Sequence, residues 1–219
     1  MSFFDRFKKA PKPNQLPHPQ PIDGILEQAL FAELDIRMFL GEESKIFDKG
    51  TREEKIRILE SQKDHPETRT RLSAWKELRG LGVEVPEELR RKVLGVVLEV
   101  GVNGGMDYLA AYEDHSARYY NFCGKVVLLE ADDKELGDLI DRLLEAGQAA
   151  TMRLGLWESE RRRGVAQDMV RMTFLTAAGI YFGEGLMALM MQDEMGQPII
   201  SRGIDLMTAL IARADGSAK

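Results

Sequence analysis

The sequence has few of the residues that form disulfides and metal sites. It contains one cysteine, Cys123, and three widely spaced histidines, His18, His65 and His115. One cysteine cannot form an internal disulfide or a cysteine-rich zinc site, and the histidines lack the spacing of metal ligands. The 219 residues also contain no nucleophile set and no phosphate-binding loop. The sequence therefore predicts neither a metal nor a cofactor.

Long apolar runs are also missing. No stretch approaches the ~20 residues of a membrane-spanning helix, and the first residues lack the apolar core of a signal peptide. Since 44% of the residues are hydrophobic, the chain can still form a substantial core. These features predict a globular, cytoplasmic protein, in agreement with the single cysteine.

Positive charge is scarce outside the N-terminal segment. The net charge is −6, but residues 1–21 carry four basic residues against one acidic residue, which leaves −9 for the remainder. An acidic body lacks the concentrated positive charge that binds phosphate backbones, so we expect no nucleic acid as a partner. The basic cluster at residues 161–163 follows Glu158 and Glu160, and a solvated loop explains it better than an anion site.

Residues 1–21 combine an aromatic and basic head with a proline-rich linker. Phe3, Phe4 and Phe7 fall on one side of a short helical turn, and five prolines follow between positions 11 and 21. Such a head can contact a partner protein or, weakly, a membrane surface. A frayed terminus is the simpler explanation, because three phenylalanines alone bind a bilayer only marginally.

The next segment, residues 22–85, has a helical pattern. Thr51 and Glu54 have the spacing of a capping box, residues 67–79 predict a further helix, and Gly80 lies where a left-handed cap would end it.

Residues 93–130 predict four antiparallel strands. Runs of β-type residues are separated by Asn103-Gly104-Gly105, Asp114-His115-Ser116 and Cys123-Gly124, which tolerate tight turns. The pattern then predicts a helix from near Asp132, an exposed loop, a second hairpin and a final helix from near Pro198. The fold class is therefore α+β, with a helical N-terminal third and an α+β domain over residues 86–219. That domain contains a mainly antiparallel sheet of about six strands covered by helices.

This order of elements resembles the type III secretion chaperone-like fold, in which helices cover a twisted antiparallel sheet. The resemblance covers roughly residues 86–213 and rests on topology, without a sequence motif and with an additional helical N-terminal third. It implies a module that binds other proteins, and it assigns a role to no individual residue.

The densest cluster of polar and aromatic side chains lies in residues 112–124. Arg118 and Tyr120 should share one face of a strand and Tyr119 the other, because strand side chains alternate. We expect one of these faces to be exposed, and an exposed Arg–Tyr pair is typical of protein-binding surfaces. Cross-strand pairing of the tyrosines explains the same composition without a partner. The candidate surface comprises Asp107, Tyr112, His115, Arg118, Tyr119 and Tyr120.

A second candidate surface is the methionine-rich end of the predicted second hairpin, with Met187, Met190 and Met191. Flexible thioethers fill irregular cores, and they also suit surfaces that accept varied partners. Core packing is the simpler explanation.

Two functions fit these observations. The leading hypothesis is a non-catalytic adaptor or chaperone-like module that binds another protein or a second copy of itself. The alternative is a small enzyme or ligand sensor with a cleft at residues 107–120, lined by Asp107, His115, Arg118 and Tyr120. Asp-His-Ser is also ordinary turn chemistry, and His115 would act as an acid or base only if a carboxylate oriented it.

Overall fold

The computed structural model describes residues 24–129 and 133–216. The head with Phe3, Phe4 and Phe7 and the proline-rich linker lie outside the described residues, so their contacts stay predictions. Within the described residues, no helix combines the length and the apolarity that crossing a membrane requires.

Helices occupy the N-terminal third of the described chain. They are α1 (Gly24–Leu30), α2 (Ser44–Lys49), α3 (Arg52–Ser61), α4 (Thr68–Gly80) and α5 (Glu87–Arg90), with 3-10 turns at Ile36–Met38 and Gly41–Glu43. The capping box of α3 is confirmed, since the Glu54 N–H donates to Thr51 Oγ1 and the Thr51 N–H donates to the Glu54 carboxylate. The predicted cap after α4 is wrong by two residues. Gly82, not Gly80, has the left-handed backbone, with a φ of +77°.

A six-stranded sheet follows, and all its strand pairs are antiparallel. Its strands are β1 (Val93–Val102), β2 (Gly105–Tyr112), β3 (Ala117–Tyr120), β4 (Val126–Leu129), β5 (Met169–Thr176) and β6 (Gly179–Leu186), in the spatial order β4-β3-β2-β1-β5-β6. The further helices are α6 (Lys134–Thr151), α7 (Met187–Met190) and α8 (Gly196–Ala214). The predicted α+β fold class, with its four-strand meander and second hairpin, is confirmed.

The helical face of the sheet is the face on which α6 and α8 pack. Alternate side chains of β1, including Val96, Leu98 and Val100, are buried there. Gly147 allows α6 to approach closely, because a Cβ atom at this position would lie 2.9 Å from the Phe174 ring and 3.0 Å from the Val96 side chain. The apolar stripe of α6 therefore packs directly on the central strands.

The loop face is the opposite face of the sheet, which is covered by α1, α4 and residues 157–166. Its core combines side chains of the sheet with side chains of the N-terminal helices and the covering segment, namely Leu94, Val97, Tyr108, Leu30, Phe31, Leu72 and Val165. The prediction of an exposed loop before β5 is wrong for part of this segment, because Val165 and the Arg161 side chain are buried.

Hydrogen bonds join the N-terminal helices to the loop face. The Tyr112 hydroxyl donates to the Leu30 carbonyl at 2.6 Å, and this contact is fully buried. The Thr68 N–H donates to the Asp114 carboxylate at 2.7 Å, so the start of α4 is attached to the β2–β3 turn. The strands β1, β2 and β5 are consequently covered on both faces.

Candidate functional site

The predicted surface residues of 107–120 lie on different sides of the sheet. Asp107 and Tyr119 belong to the helical face, where the Tyr119 hydroxyl donates to Asp107 Oδ2 at 2.9 Å. The Phe122 N–H donates to the other carboxylate oxygen of Asp107 at 3.0 Å. Asp107 is thus a buried acceptor that holds β3 and the following turn against β2.

Arg118, Tyr120 and Tyr112 lie on the loop face. The Arg118 guanidinium is 5.9 Å from the centre of the Tyr112 ring, so the prediction that Arg118 and Tyr120 share a face opposite Tyr119 is confirmed. The expected exposure is wrong, because Arg118 is only 6% and Tyr120 only 5% exposed. Segments distant in sequence cover the part of this face that contains Arg118 and Tyr120. Asp107, Arg118 and Tyr120 therefore do not line one cleft.

His115 occupies the tip of the β2–β3 turn, with a positive φ of 61°. The neighbouring Asp114 carboxylate accepts hydrogen bonds from the Ser116 N–H at 3.0 Å and from the Ser116 hydroxyl at 2.7 Å. Burial opposes ionisation of Asp114, but the hydrogen bonds from Ser116 and Thr68 outweigh it and lower the pKa of Asp114. His115 Nε2 contacts Asp141 on α6 at 3.0 Å in a partly exposed pair. This arrangement has the features of turn chemistry.

The methionines lie beyond the second hairpin. After Leu186 the chain leaves β6 and forms α7, so Met187 and Met190 are helical and Met191 caps the helix. Met187 is buried in the core of the helical face, and Met190 and Met191 pack against that core. The prediction that these residues lie within a hairpin is wrong, and their packing fills the space between the sheet and α8.

The outer edge of β4 is the most exposed apolar part of the sheet. Val126 and Leu128 are 47% and 55% exposed, whereas Val127 between them is buried in the helical core. These two side chains stand on the loop face, opposite Tyr120 and Arg118 in the β3–β4 register. Among the described strands, none pairs with the free edge of β4. This edge combines unpaired backbone groups with alternating apolar side chains.

A buried ionic cluster joins α1 to the segment that covers the loop face. Arg161 donates to Glu27 at 2.8 Å and to Glu33 at 3.0 Å, and Arg163 also pairs with Glu27. The Glu27 side chain is 1% and the Arg161 side chain 7% exposed. The prediction of a solvated basic loop is therefore wrong for Arg161, because its carboxylate partners are 128 and 134 residues away in sequence.

A second ionic cluster crosses the loop face of the central strands. Arg171 on β5 donates to Glu99 on β1 at 3.2 Å and to Glu184 on β6 at 2.7 Å. Burial raises the pKa of Glu99 to about 7, although Arg171 opposes this effect. The sequence patterns did not single out Glu99 or Arg171. The available signal was that the strands β1 and β5 each contain one charged residue among apolar ones, and that these two charges have opposite signs.

The described residues contain no group of His, Cys, Asp and Glu side chains arranged to hold a metal ion. No family model matches the chain, and no curated protein or solved structure is significantly similar to it. The geometry of the chain itself is therefore the basis for a functional proposal.

Proposed function

We propose that this protein is a non-catalytic interaction module that binds an extended segment of another protein along the free edge of β4. The observation that carries the proposal is an apolar edge strand with Val126 and Leu128 exposed. Edge strands of soluble proteins are usually protected by lysine, proline or a bulge, because their free N–H and C=O groups recruit other strands. Here apolar side chains stand at alternate positions instead.

Addition of a partner strand to this edge would pair the free backbone groups of β4 and cover its exposed apolar side chains. The partner backbone would form hydrogen bonds with the free groups of β4, and its alternate side chains would pack on Val126 and Leu128. A four-residue strand extends only ~13 Å and cannot by itself bury the ~1,600 Å² of a typical stable interface. A short extended segment of a partner protein fits this edge better than a stable dimer of the chain.

The order of elements also supports the proposal. It resembles the type III secretion chaperone-like fold, whose members commonly bind other proteins, and this analogy remains part of the proposal. We place the module in the cytoplasm, because the chain has a single cysteine and the described residues include no helix suited to crossing a membrane.

A displayed library of random peptides, about twelve residues long, tests the binding mode. We expect enrichment of peptides with apolar residues at alternate positions, and protection of the Val126 and Leu128 amides from hydrogen exchange in the complex. The variant Leu128→Lys should lose this binding, because it adds a charge to the apolar edge. Ile46→Lys is the matched control, since Ile46 is 52% exposed and lies on α2.

Equal binding by the Leu128→Lys and Ile46→Lys variants would refute the proposal, as would the absence of enriched peptides. Light scattering supplies a second test. A dimer that Leu128→Lys converts into a monomer would assign the edge to a second copy of the chain and contradict the partner-protein form of the proposal.

A further inference from the structure

A partly open cleft of about 220 Å³ lies between α4, the residues after α1, the start of the covering segment and the β5–β6 turn. This volume is below the range of about 300–1,000 Å³ typical of drug-sized sites, so the cleft suits only a small ligand. Phe31, Leu72 and Leu175 provide buried apolar surface, and the half-buried Trp157 and Ile180 complete that side. The backbone N–H of Trp157 donates to the Ile180 carbonyl at 2.9 Å and the indole N–H donates to the Glu160 carbonyl at 3.2 Å, so Trp157 is held at the edge of β6.

The same cleft contains two cations without a paired carboxylate. Lys76 and Arg79 are three residues apart on α4 and therefore share a face of the helix. Among the described residues, no Asp or Glu carboxylate oxygen lies within 4.0 Å of either basic group, and Lys76 Nζ donates to the Glu33 backbone carbonyl at 3.4 Å. Arg79 donates to the Ala177 carbonyl, and burial lowers the pKa of its guanidinium.

The remaining charges of the cleft are already paired. Arg161 and Arg163 together balance Glu27 and Glu33, and the Arg161 guanidinium stacks 3.7 Å from the centre of the Phe31 ring. Lys76 and Arg79 therefore leave an excess of two positive charges beside aromatic and aliphatic surface. An arginine fork and an ammonium group are suited to a carboxylate, and the apolar side is suited to a ring.

We infer that this cleft binds a small aromatic carboxylate, with its ring against Trp157 and Phe31 and its carboxylate on Lys76 and Arg79. The site is separate from the β4 edge, and neither proposal requires the other. Occupation would supply the missing counter-charge at Arg79 and cover the exposed part of the indole.

Titration calorimetry of the full chain with naphthoate and with its neutral analogue naphthamide tests this inference. Naphthoate should bind about tenfold more tightly than naphthamide, because only the carboxylate can pair with the two cations. Arg79→Gln and Lys76→Gln should each weaken naphthoate binding about tenfold. Lys76 is exposed, so its variant will fold even if Arg79→Gln is destabilised. Arg57→Gln removes the same charge from an exposed position on α3 and should leave the affinity unchanged.

Three results would overturn the inference. Equal affinities for naphthoate and naphthamide would exclude a role for the cations. If Arg57→Gln weakened naphthoate binding as much as Lys76→Gln and Arg79→Gln do, the effect would come from the net charge of the protein and not from the cleft. Inorganic phosphate that binds as tightly as naphthoate would exclude the aromatic part of the site.

Discussion

Individual buried charges decide how the loop face is closed. Arg171 donates to the Arg162 carbonyl at 2.6 Å and to the Gly164 carbonyl at 3.0 Å, in addition to its two carboxylates. Its guanidinium thus joins three strands and the covering segment at one point. Since a buried arginine is tolerated only when its donors are satisfied, the position of this segment depends on a few side chains.

Glu99 provides a prediction about pH. Its pKa is raised from 4.5 to about 7, so the folded state retains a proton that the unfolded chain releases. Between these two pH values the unfolded state binds fewer protons, and stability therefore falls as the pH rises. We expect the wild-type protein to lose about 3 kcal/mol of unfolding free energy through this group over that interval, and the Glu99→Gln variant to lack this loss.

Urea denaturation at about pH 5.5 and about pH 8 covers the upper part of that interval, so the wild type should lose about 2 kcal/mol more unfolding free energy than Glu99→Gln between the two measurements. Subtracting the unfolding free energies of the two proteins at each pH removes the contribution of other groups. Asp114 is one of these, because its lowered pKa makes stability rise with pH in the acid range. Glu145→Gln, at an exposed position of α6, should follow the wild type at both pH values. Parallel behaviour of Glu99→Gln and the wild type would show that Glu99 titrates normally.

At the scale of elements, close contact between α6 and the sheet depends on Gly147. Gly147→Ala should destabilise the protein by about 1–3 kcal/mol, because its methyl group would overlap the buried Phe174 ring and Val96. Gly80→Ala is the matched control at the end of α4, where no atom lies within 4 Å of the added Cβ. It should be neutral or stabilising by up to about 1 kcal/mol. Thermal unfolding of both variants measures whether the two stability changes have opposite signs. A Gly147→Ala variant as stable as the wild type would show that α6 can move away from the sheet.

The elements themselves could largely be predicted from the sequence, because their signals are local. Asn103-Gly104 forms its turn from adjacent residues, and Thr51 caps its helix three residues away. Burial of the loop face could not be predicted in this way. It depends on contacts such as Tyr112 with Leu30, which are 82 residues apart. A strand with polar and aromatic residues therefore looks half-exposed in the sequence, although remote segments cover it.

At the scale of the whole molecule, the N-terminal helices and the sheet share apolar packing. Leu30, Phe31 and Leu72 belong to the same core as Val97 and Tyr108. We therefore expect a single unfolding transition for both parts. In Trp157→Phe the remaining tryptophan, Trp75, reports on the N-terminal helices, and in Trp75→Phe the remaining Trp157 reports on the sheet.

In each of these variants, tryptophan fluorescence and far-ultraviolet circular dichroism should give the same urea midpoint. An earlier fluorescence transition of Trp75 would show that the N-terminal helices unfold independently of the sheet.

The turn before β4 contains Cys123, which is exposed and is the single cysteine of the chain. Its backbone N–H donates to the Asn121 side chain at 2.9 Å, which holds the backbone of the turn from which the thiol projects. Maleimide chemistry can therefore attach one fluorophore or spin label three residues before Val126 in the otherwise unaltered protein. Arrival of a partner at this edge becomes visible as a change in the label's mobility or emission.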